Sequence, residues 1–172
     1  MSTSHTAREQ IEVYRFSWPV TIGVPLFVLF LQGFIPTRLQ FVRALDLPLL
    51  VTIYFSVSRR NPISGMLTGC LIGLAQDALT QHPIGVNGIA KTIVGFLASS
   101  LGVKIDVEQP GSRFLLTYIF YLFHQSMYFA IMRGLANAPL SWSWTHQLLG
   151  GFFSALLAIV MFMFLDRFKQ RT

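Results

Sequence analysis

The feature that most restricts the fold of this chain is a series of long apolar segments separated by short polar breaks. A helix needs about 20 mostly apolar residues to cross a bilayer, and six segments of the 172-residue chain approach or reach that length. Their bounds are 18–36, 39–58, 62–79, 84–103, 114–135 and 144–165. The sequence therefore predicts an all-α fold, a polytopic membrane bundle of six transmembrane helices in one integral membrane domain.

The second segment is the weakest of the six. The uncharged run between Asp46 and Arg59 is only twelve residues long. The segment spans a membrane if Arg43 and Asp46 reach toward the lipid headgroups. A bundle of five transmembrane helices is therefore the alternative.

The composition also favours a bilayer over water. Hydrophobic residues make up 53% of the chain and charged residues 12%, whereas soluble domains carry about a quarter charged residues. The net charge of +6 comes from basic residues at the ends of apolar runs, as in membrane topology signals. We therefore expect contact with membrane lipid and no binding of nucleic acid.

Lysine and arginine are unevenly distributed over the predicted loops. With six spans, one side carries nine of them and the other side three. The nine are Arg8, Arg15, Arg59, Arg60, Lys104, Arg113, Arg167, Lys169 and Arg171, against Arg38, Arg43 and Arg133. The positive-inside rule then predicts that both termini lie in the cytoplasm. Five spans move the N-terminus outside at the same nine-to-three ratio, so charge does not choose between the two versions.

Small residues line one face of the third predicted helix and end in a carboxylate. The stripe comprises Gly65, Gly69, Gly73 and, in the same register, Asp77. The fourth helix presents a matching face of Gly88, Lys91, Gly95 and Ser99. Residues four apart share a helix face, and small residues let helices approach closely in lipid. The pattern predicts a closely packed hairpin of these two helices, or a partner interface.

Two opposite charges lie inside this hairpin. Asp77 and Lys91 each stand seven residues from position 84, at the centre of the turn, which is about 10 Å along a helix. This symmetry predicts that they meet as an ion pair, which offsets part of the cost of burying each charge in a membrane. We favour a clasp that fixes the hairpin over a polar site or a proton relay.

The break between the two helices contains three residues with distinct backbone roles. Pro83 lacks an N–H and disfavours helix at the preceding residue. Gly85 permits a positive φ, and Asn87 can cap the fourth helix or form a hydrogen bond within the hairpin.

The fifth segment carries a polar, aromatic stripe. Its members are Tyr121, His124 and Tyr128, with Thr117 one turn earlier and Gln125 beside it. Such a stripe is suited to hydrogen bonds between helices. No other histidine or cysteine converges on His124 in the sequence, so we expect no metal site. No motif of nucleophile and base, phosphate loop or zinc protease occurs, so we expect neither an enzyme nor a cofactor.

The stretch GMLTGCLIGLAQDALTQHPIGVNGIAKTIVGFLASSLG resembles the core of the rod shape-determining MreD family. That family shows a helix reading G-x-x-x-G-x-x-x-D, a short break, an aliphatic–glycine pair and a small-residue helix. Here the pair is Ile84-Gly85, and Gly95-Phe96 supplies the late glycine–aromatic element. The likeness covers about residues 40–103. Lys91 departs from the family pattern, whose corresponding helix is more uniformly small or apolar.

The resemblance implies a non-enzymatic inner-membrane scaffold of the cell-elongation machinery. It implies binding to MreC, a bitopic membrane protein, and through it a connection to MreB, RodA and the elongation transpeptidase. Such a scaffold helps to organise lateral peptidoglycan synthesis and cell shape.

A second function follows from a more distant likeness. The family resembles the six-helix S components of energy-coupling-factor vitamin transporters. The alternative is therefore a subunit that binds a vitamin-like molecule, with Asp77, Lys91 and His124 lining a midplane pocket. S components typically carry an Ala-xxx-Ala pair in the first helix. WPVTIGVPLFVLFLQGF has none, which counts against transport.

Overall fold

The computed structural model describes residues 14–34, 45–80, 83–103, 109–134, 143–168 and 170–171. Within these ranges the chain forms six α-helices and one pair of two-residue strands. The helices are α1 Trp18–Phe34, α2 Leu47–Arg59, α3 Pro62–Thr80, α4 Val86–Gly102, α5 Pro110–Gly134 and α6 Trp144–Asp166. The predicted helical bundle is confirmed.

Three of the described helices, α3, α5 and α6, are long and apolar enough to cross a membrane. The other three are apolar but shorter, with 13 to 17 residues. Large apolar side chains cover the outside of the bundle, among them Phe27, Leu71, Ile119, Leu149 and Val160. Since water disfavours so much apolar surface, the outside of the bundle is suited to lipid.

Helix α2 lies at the centre of the described bundle. It contacts each of the other five helices, and eleven of its 13 residues are buried. The remaining helices follow one another around it in the order α1, α3, α4, α5, α6, with contacts between successive members. Helix α2 is only about 20 Å long, and its side chains pack against protein rather than lipid.

The second predicted span is shorter as a helix than the sequence suggested. Residues 45–46 are not helical and α2 begins at Leu47, while residues 39–44 lie outside the described ranges. Asp46 causes this start, because its carboxylate accepts a hydrogen bond from the Leu49 N–H at 3.0 Å. Pro48 occupies the first turn, where a missing N–H costs nothing. The residues form an N-terminal cap that sequence periodicity does not reveal.

The two ends of the described chain meet. Strand β1, Tyr14–Arg15, pairs antiparallel with β2, Gln170–Arg171. These strands were not predicted from the sequence. Their pairing places residues 14–15 and 170–171 at the same end of the helix bundle.

Candidate functional site

The glycine stripe of α3 lies directly against the backbone of α4. Gly65 faces Gly95, Gly69 faces Lys91, and Gly73 faces Asn87. A Cβ atom on Gly73 would lie 2.5 Å from the carbonyl oxygen of Asn87, and one on Gly69 would overlap the Lys91 carbonyl. Only glycine allows the two backbones this approach.

Asp77 caps the N-terminus of α4 from the neighbouring helix. Its Oδ2 accepts hydrogen bonds from the N–H groups of Gly85 at 2.9 Å, Asn87 at 3.1 Å and Gly88 at 3.3 Å. The first N–H groups of a helix have no partner within the helix, and an anion there also interacts favourably with the helix dipole. Asp77 is fully buried, and its carboxylate is bonded to backbone N–H groups of its own hairpin.

Gly85 and Asn87 shape the backbone and side chains around this cap. Gly85 has a φ of 104°, in the left-handed region that residues other than glycine rarely adopt. Asn87 lies in the first turn of α4, and its Nδ2 donates to Asp77 Oδ1 at 2.7 Å. Its Oδ1 accepts from Lys91 Nζ at 3.4 Å, so this side chain links the cap to the lysine.

The predicted Asp77–Lys91 ion pair is wrong. Lys91 Nζ instead lies 2.7 Å from Asp46 Oδ2, and the lysine is fully buried. Asp46 is 45 residues away in the sequence. It was expected to reach toward the headgroups, but it is only 8% exposed.

The register of the hairpin explains the error. The prediction advanced every residue by the ~1.5 Å rise of a helix, whereas residues outside a helix advance by up to ~3.3–3.6 Å. Equal counting from the turn therefore misplaces the second helix along the first. In the structure Lys91 lies level with Gly69. Gly69 precedes Asp77 by eight residues, which is about 12 Å along α3.

Asp46 has contacts in several helices at once. It caps α2, pairs with Lys91 of α4, and accepts a hydrogen bond from Gln76 Nε2 of α3 at 3.5 Å. His124 of α5 lies close by, with Nδ1 3.8 Å from Asp46 Oδ2. We call Asp46, Lys91 and His124 the charge cluster.

The hydrogen bonds of the charge cluster assign the proton on His124. Its Nε2 lies 3.2 Å from Lys91 Nζ. If Lys91 is an ammonium group, which only donates, Nε2 accepts and a neutral ring carries its proton on Nδ1. Nδ1 lies 3.8 Å from Asp46 Oδ2, which is longer than a hydrogen bond, and it has no closer partner among the described residues. The three residues are between 0% and 8% exposed, so the cluster ties α2, α4 and α5 together away from solvent and lipid.

The rest of the polar stripe on α5 lies beside the charge cluster. Tyr121 is buried, and its hydroxyl accepts a hydrogen bond from Gln125 Nε2 at 3.1 Å. Tyr128 is half-buried, with its ring stacked on His124 at 6.4 Å between centroids. Tyr121 also contacts α6, because a Cβ on Gly151 would lie 3.0 Å from its ring.

A second ion pair, which the sequence did not predict, joins the start of α5 to the end of α6. Arg113 Nη2 lies 2.6 Å from Asp166 Oδ2, and the Tyr54 hydroxyl donates to Asp166 Oδ1 at 3.0 Å. The available signal was the prediction that both charges lie on one side of the membrane, at the ends of successive spans.

The described residues contain no group of three or more His, Cys, Asp or Glu side chains that could hold a metal ion. The polar interior is arranged as helix-to-helix bonds, with acids matched by backbone N–H groups, a lysine or an arginine. This arrangement stabilises a particular packing of the helices.

The comparisons with known proteins address the family. No curated protein and no solved structure matches the chain significantly, so the expected likeness to S components stays a prediction. The sequence profile of the family described as rod shape-determining protein MreD matches residues 14–168, nearly the whole chain and far more than the central stretch that carries the resemblance. The chain is therefore a membrane protein that belongs to the rod shape-determining MreD family.

Proposed function

We propose that this protein is a non-enzymatic scaffold of the cell-elongation complex in the bacterial inner membrane. It binds an MreC-like bitopic membrane protein and through it connects to MreB, RodA and the elongation transpeptidase. In this way it helps to organise lateral peptidoglycan synthesis. The observation that carries the proposal is the family match over residues 14–168.

The distribution of polarity supports a scaffold. Asp46, Asp77 and Lys91 are bonded to other parts of the bundle and are buried. The outward faces of α1, α3, α5 and α6 carry large exposed apolar side chains. A partner with a single transmembrane helix meets the protein at such lipid-facing surfaces, where close packing and occasional hydrogen bonds drive association.

The meeting of the two chain ends supports the six-span orientation. Strands β1 and β2 pair, so an even number of crossings lies between them. The side that holds both ends also holds nine of the twelve basic residues assigned to loops and ends in the six-span version. By the positive-inside rule this side is the cytoplasm.

The alternative, a vitamin-binding transport subunit, has less support. Its pocket was to be lined by Asp77, Lys91 and His124, but these residues are at most 1% exposed. Their polar atoms bond to the α4 N-terminus, to Asp46 and to each other.

Crosslinking in cells tests the scaffold. A photoreactive amino acid is placed singly at exposed positions on four helices, namely Phe27, Ile89, Ile119 and Val160. Val94, which is fully buried in α4, is the matched control. We expect at least one exposed position, and not Val94, to crosslink an MreC-like protein identified by mass spectrometry.

A parallel purification in mild detergent distinguishes the two functions. Recovery of MreC-like and wall-synthesis proteins supports the scaffold. Recovery of a coupling ATPase, or of a tightly bound vitamin, without these proteins would overturn it.

A further inference from the structure

A groove of about 880 Å³ lies between α1 and α3, with part of α2 as its floor. Most of its lining is apolar, including Leu26, Leu67 and Leu71. A second cavity of about 530 Å³ shares Leu26, Leu29 and Ala75 with it. The second cavity continues toward Leu79, near the far end of α3. Together the two cavities form an apolar channel along most of α3, open to the surroundings of the bundle.

One end of this groove is polar and positively charged. Arg59 lines it together with Thr21, Asn61 and Ser64. The guanidinium donates from Nη1 to Ser64 Oγ at 3.1 Å and from Nη2 to Thr21 Oγ1 at 2.9 Å. Its Cζ also lies 5.4 Å from the centre of the Phe55 ring. Hydroxyls from two helices and an aromatic ring thus hold the cation at the groove.

The described residues give Arg59 no carboxylate partner within ion-pair distance. Arginine has five N–H donors, and the described hydrogen bonds use two of them. A half-buried cation next to an apolar groove gains from an anion that can use the remaining donors. Arg60 follows in sequence but does not line the groove.

The position of this charge in the membrane identifies the anion. Trp18 lines the same groove and is 79% exposed, as expected of an interfacial aromatic anchor. Arg59 and Arg60 lie in the short basic turn between α2 and α3, which the six-span prediction places at headgroup depth on the cytoplasmic side. Basic pockets between transmembrane helices on this side bind the headgroups of anionic lipids.

We infer that the groove between α1 and α3 binds an anionic glycerophospholipid. Its phosphate contacts the guanidinium of Arg59, and an acyl chain lies along the apolar walls formed by α1 and α3. A transmembrane helix of another protein would fill the apolar part but would leave the arginine without an anion. The inference concerns the protein alone and does not depend on partner binding.

Native mass spectrometry of the purified protein tests this site. The protein is washed in non-ionic detergent and titrated with phosphatidylglycerol or phosphatidylcholine of the same acyl chains. We expect one phosphatidylglycerol to bind in preference to phosphatidylcholine. Arg59→Gln should weaken its binding about tenfold, the effect of losing a charge-assisted hydrogen bond.

Two variants separate lipid binding from folding. Arg60→Gln removes the same charge from a residue that does not line the groove, and should weaken binding by less than about twofold, as for a screened surface charge. Thr21→Val removes the α1 hydrogen bond of Arg59 but keeps the cation, and should bind phosphatidylglycerol more tightly than Arg59→Gln. The site is overturned by equal binding of both lipids, by equal losses in Arg59→Gln and Arg60→Gln, or by a loss in Thr21→Val as large as that in Arg59→Gln.

A photoreactive amino acid at Leu67, on the groove wall, tests the occupant in cell membranes. A lipid adduct supports the inference. Crosslinking to a protein without a lipid adduct would assign the groove to a protein partner and overturn it.

Discussion

Two buried aspartates of this protein, Asp77 and Asp46, are stabilised in different ways. Asp77 bonds to N–H groups eight to eleven residues further along the chain, within one helical hairpin. Asp46 holds Lys91 from a helix 45 residues away and also contacts α3. The first aspartate fixes a local turn, and the second joins helices that are distant in sequence.

The difference shows what each charge contributes to the bundle. Backbone N–H groups at a helix terminus are polar whatever the side chains are, so Asp77 meets a need that every helix start has. Lys91 is an ionic group whose burial costs free energy unless a carboxylate reaches it. The charge cluster is therefore a part of the interior whose stability depends on a pair, and breaking that pair should cost more than a change in the hairpin.

The largest effect is expected in the charge cluster. Asp46→Ala leaves Lys91 buried without its carboxylate, and should lower the free energy of unfolding by about 3–5 kcal/mol. The double variant Asp46→Ala/Lys91→Met removes both charges and should recover a large part of the loss. Helicity followed through denaturant unfolding in mixed micelles measures both. Equal stability of the single and double variants would contradict the pairing.

A smaller effect is expected in the glycine contact of the hairpin. Gly69→Ala places a Cβ against the Lys91 carbonyl, so α3 and α4 must separate, at a cost of about 1–3 kcal/mol. Gly23→Ala is the matched control, because a Cβ there meets nothing within 4 Å. Because alanine has a higher helix propensity than glycine, Gly23→Ala should raise the free energy of unfolding by up to about 1 kcal/mol. The same unfolding assay compares the two variants. Similar free energies of unfolding for Gly69→Ala and Gly23→Ala would show that the glycine stripe of α3 does not hold the helices together.

The local features of the sequence were the most predictable. The apolar runs predicted a helical bundle because the bilayer requires helices of defined length. Glycines at every fourth residue predicted a close helix contact, and the structure places Gly65, Gly69 and Gly73 at one. The left-handed turn needed a residue such as Gly85. Each of these features depends on residues within a few turns of one another.

The features that depend on distant parts of the chain could not be predicted. Pairing Lys91 with Asp46 requires the relative depth of α2 and α4, and residue counting does not give this depth when the chain between helices is not helical. The Arg113–Asp166 pair and the β1–β2 strands likewise join segments far apart in sequence. A carboxylate at the start of a span can reach the headgroups or cap a buried helix, and the sequence alone does not distinguish these two positions.

The smallest expected effect is the coupling between the two regions themselves. Asp77 and Lys91 do not pair, but both bond to Asn87, so they are linked only indirectly. A double-mutant cycle with Asp77→Ala and Lys91→Met should give a coupling energy of about 0.5 kcal/mol, the lower end for residues that share a hydrogen-bonded partner. The cycle with Asp46→Ala and Lys91→Met should give a coupling several times larger, because a direct ion pair is removed. A clasp between Asp77 and Lys91 would reverse this order, since the double variant would then be more stable than Asp77→Ala alone. The ratio of the two coupling energies therefore tests whether the buried lysine belongs to its own hairpin or to the centre of the bundle.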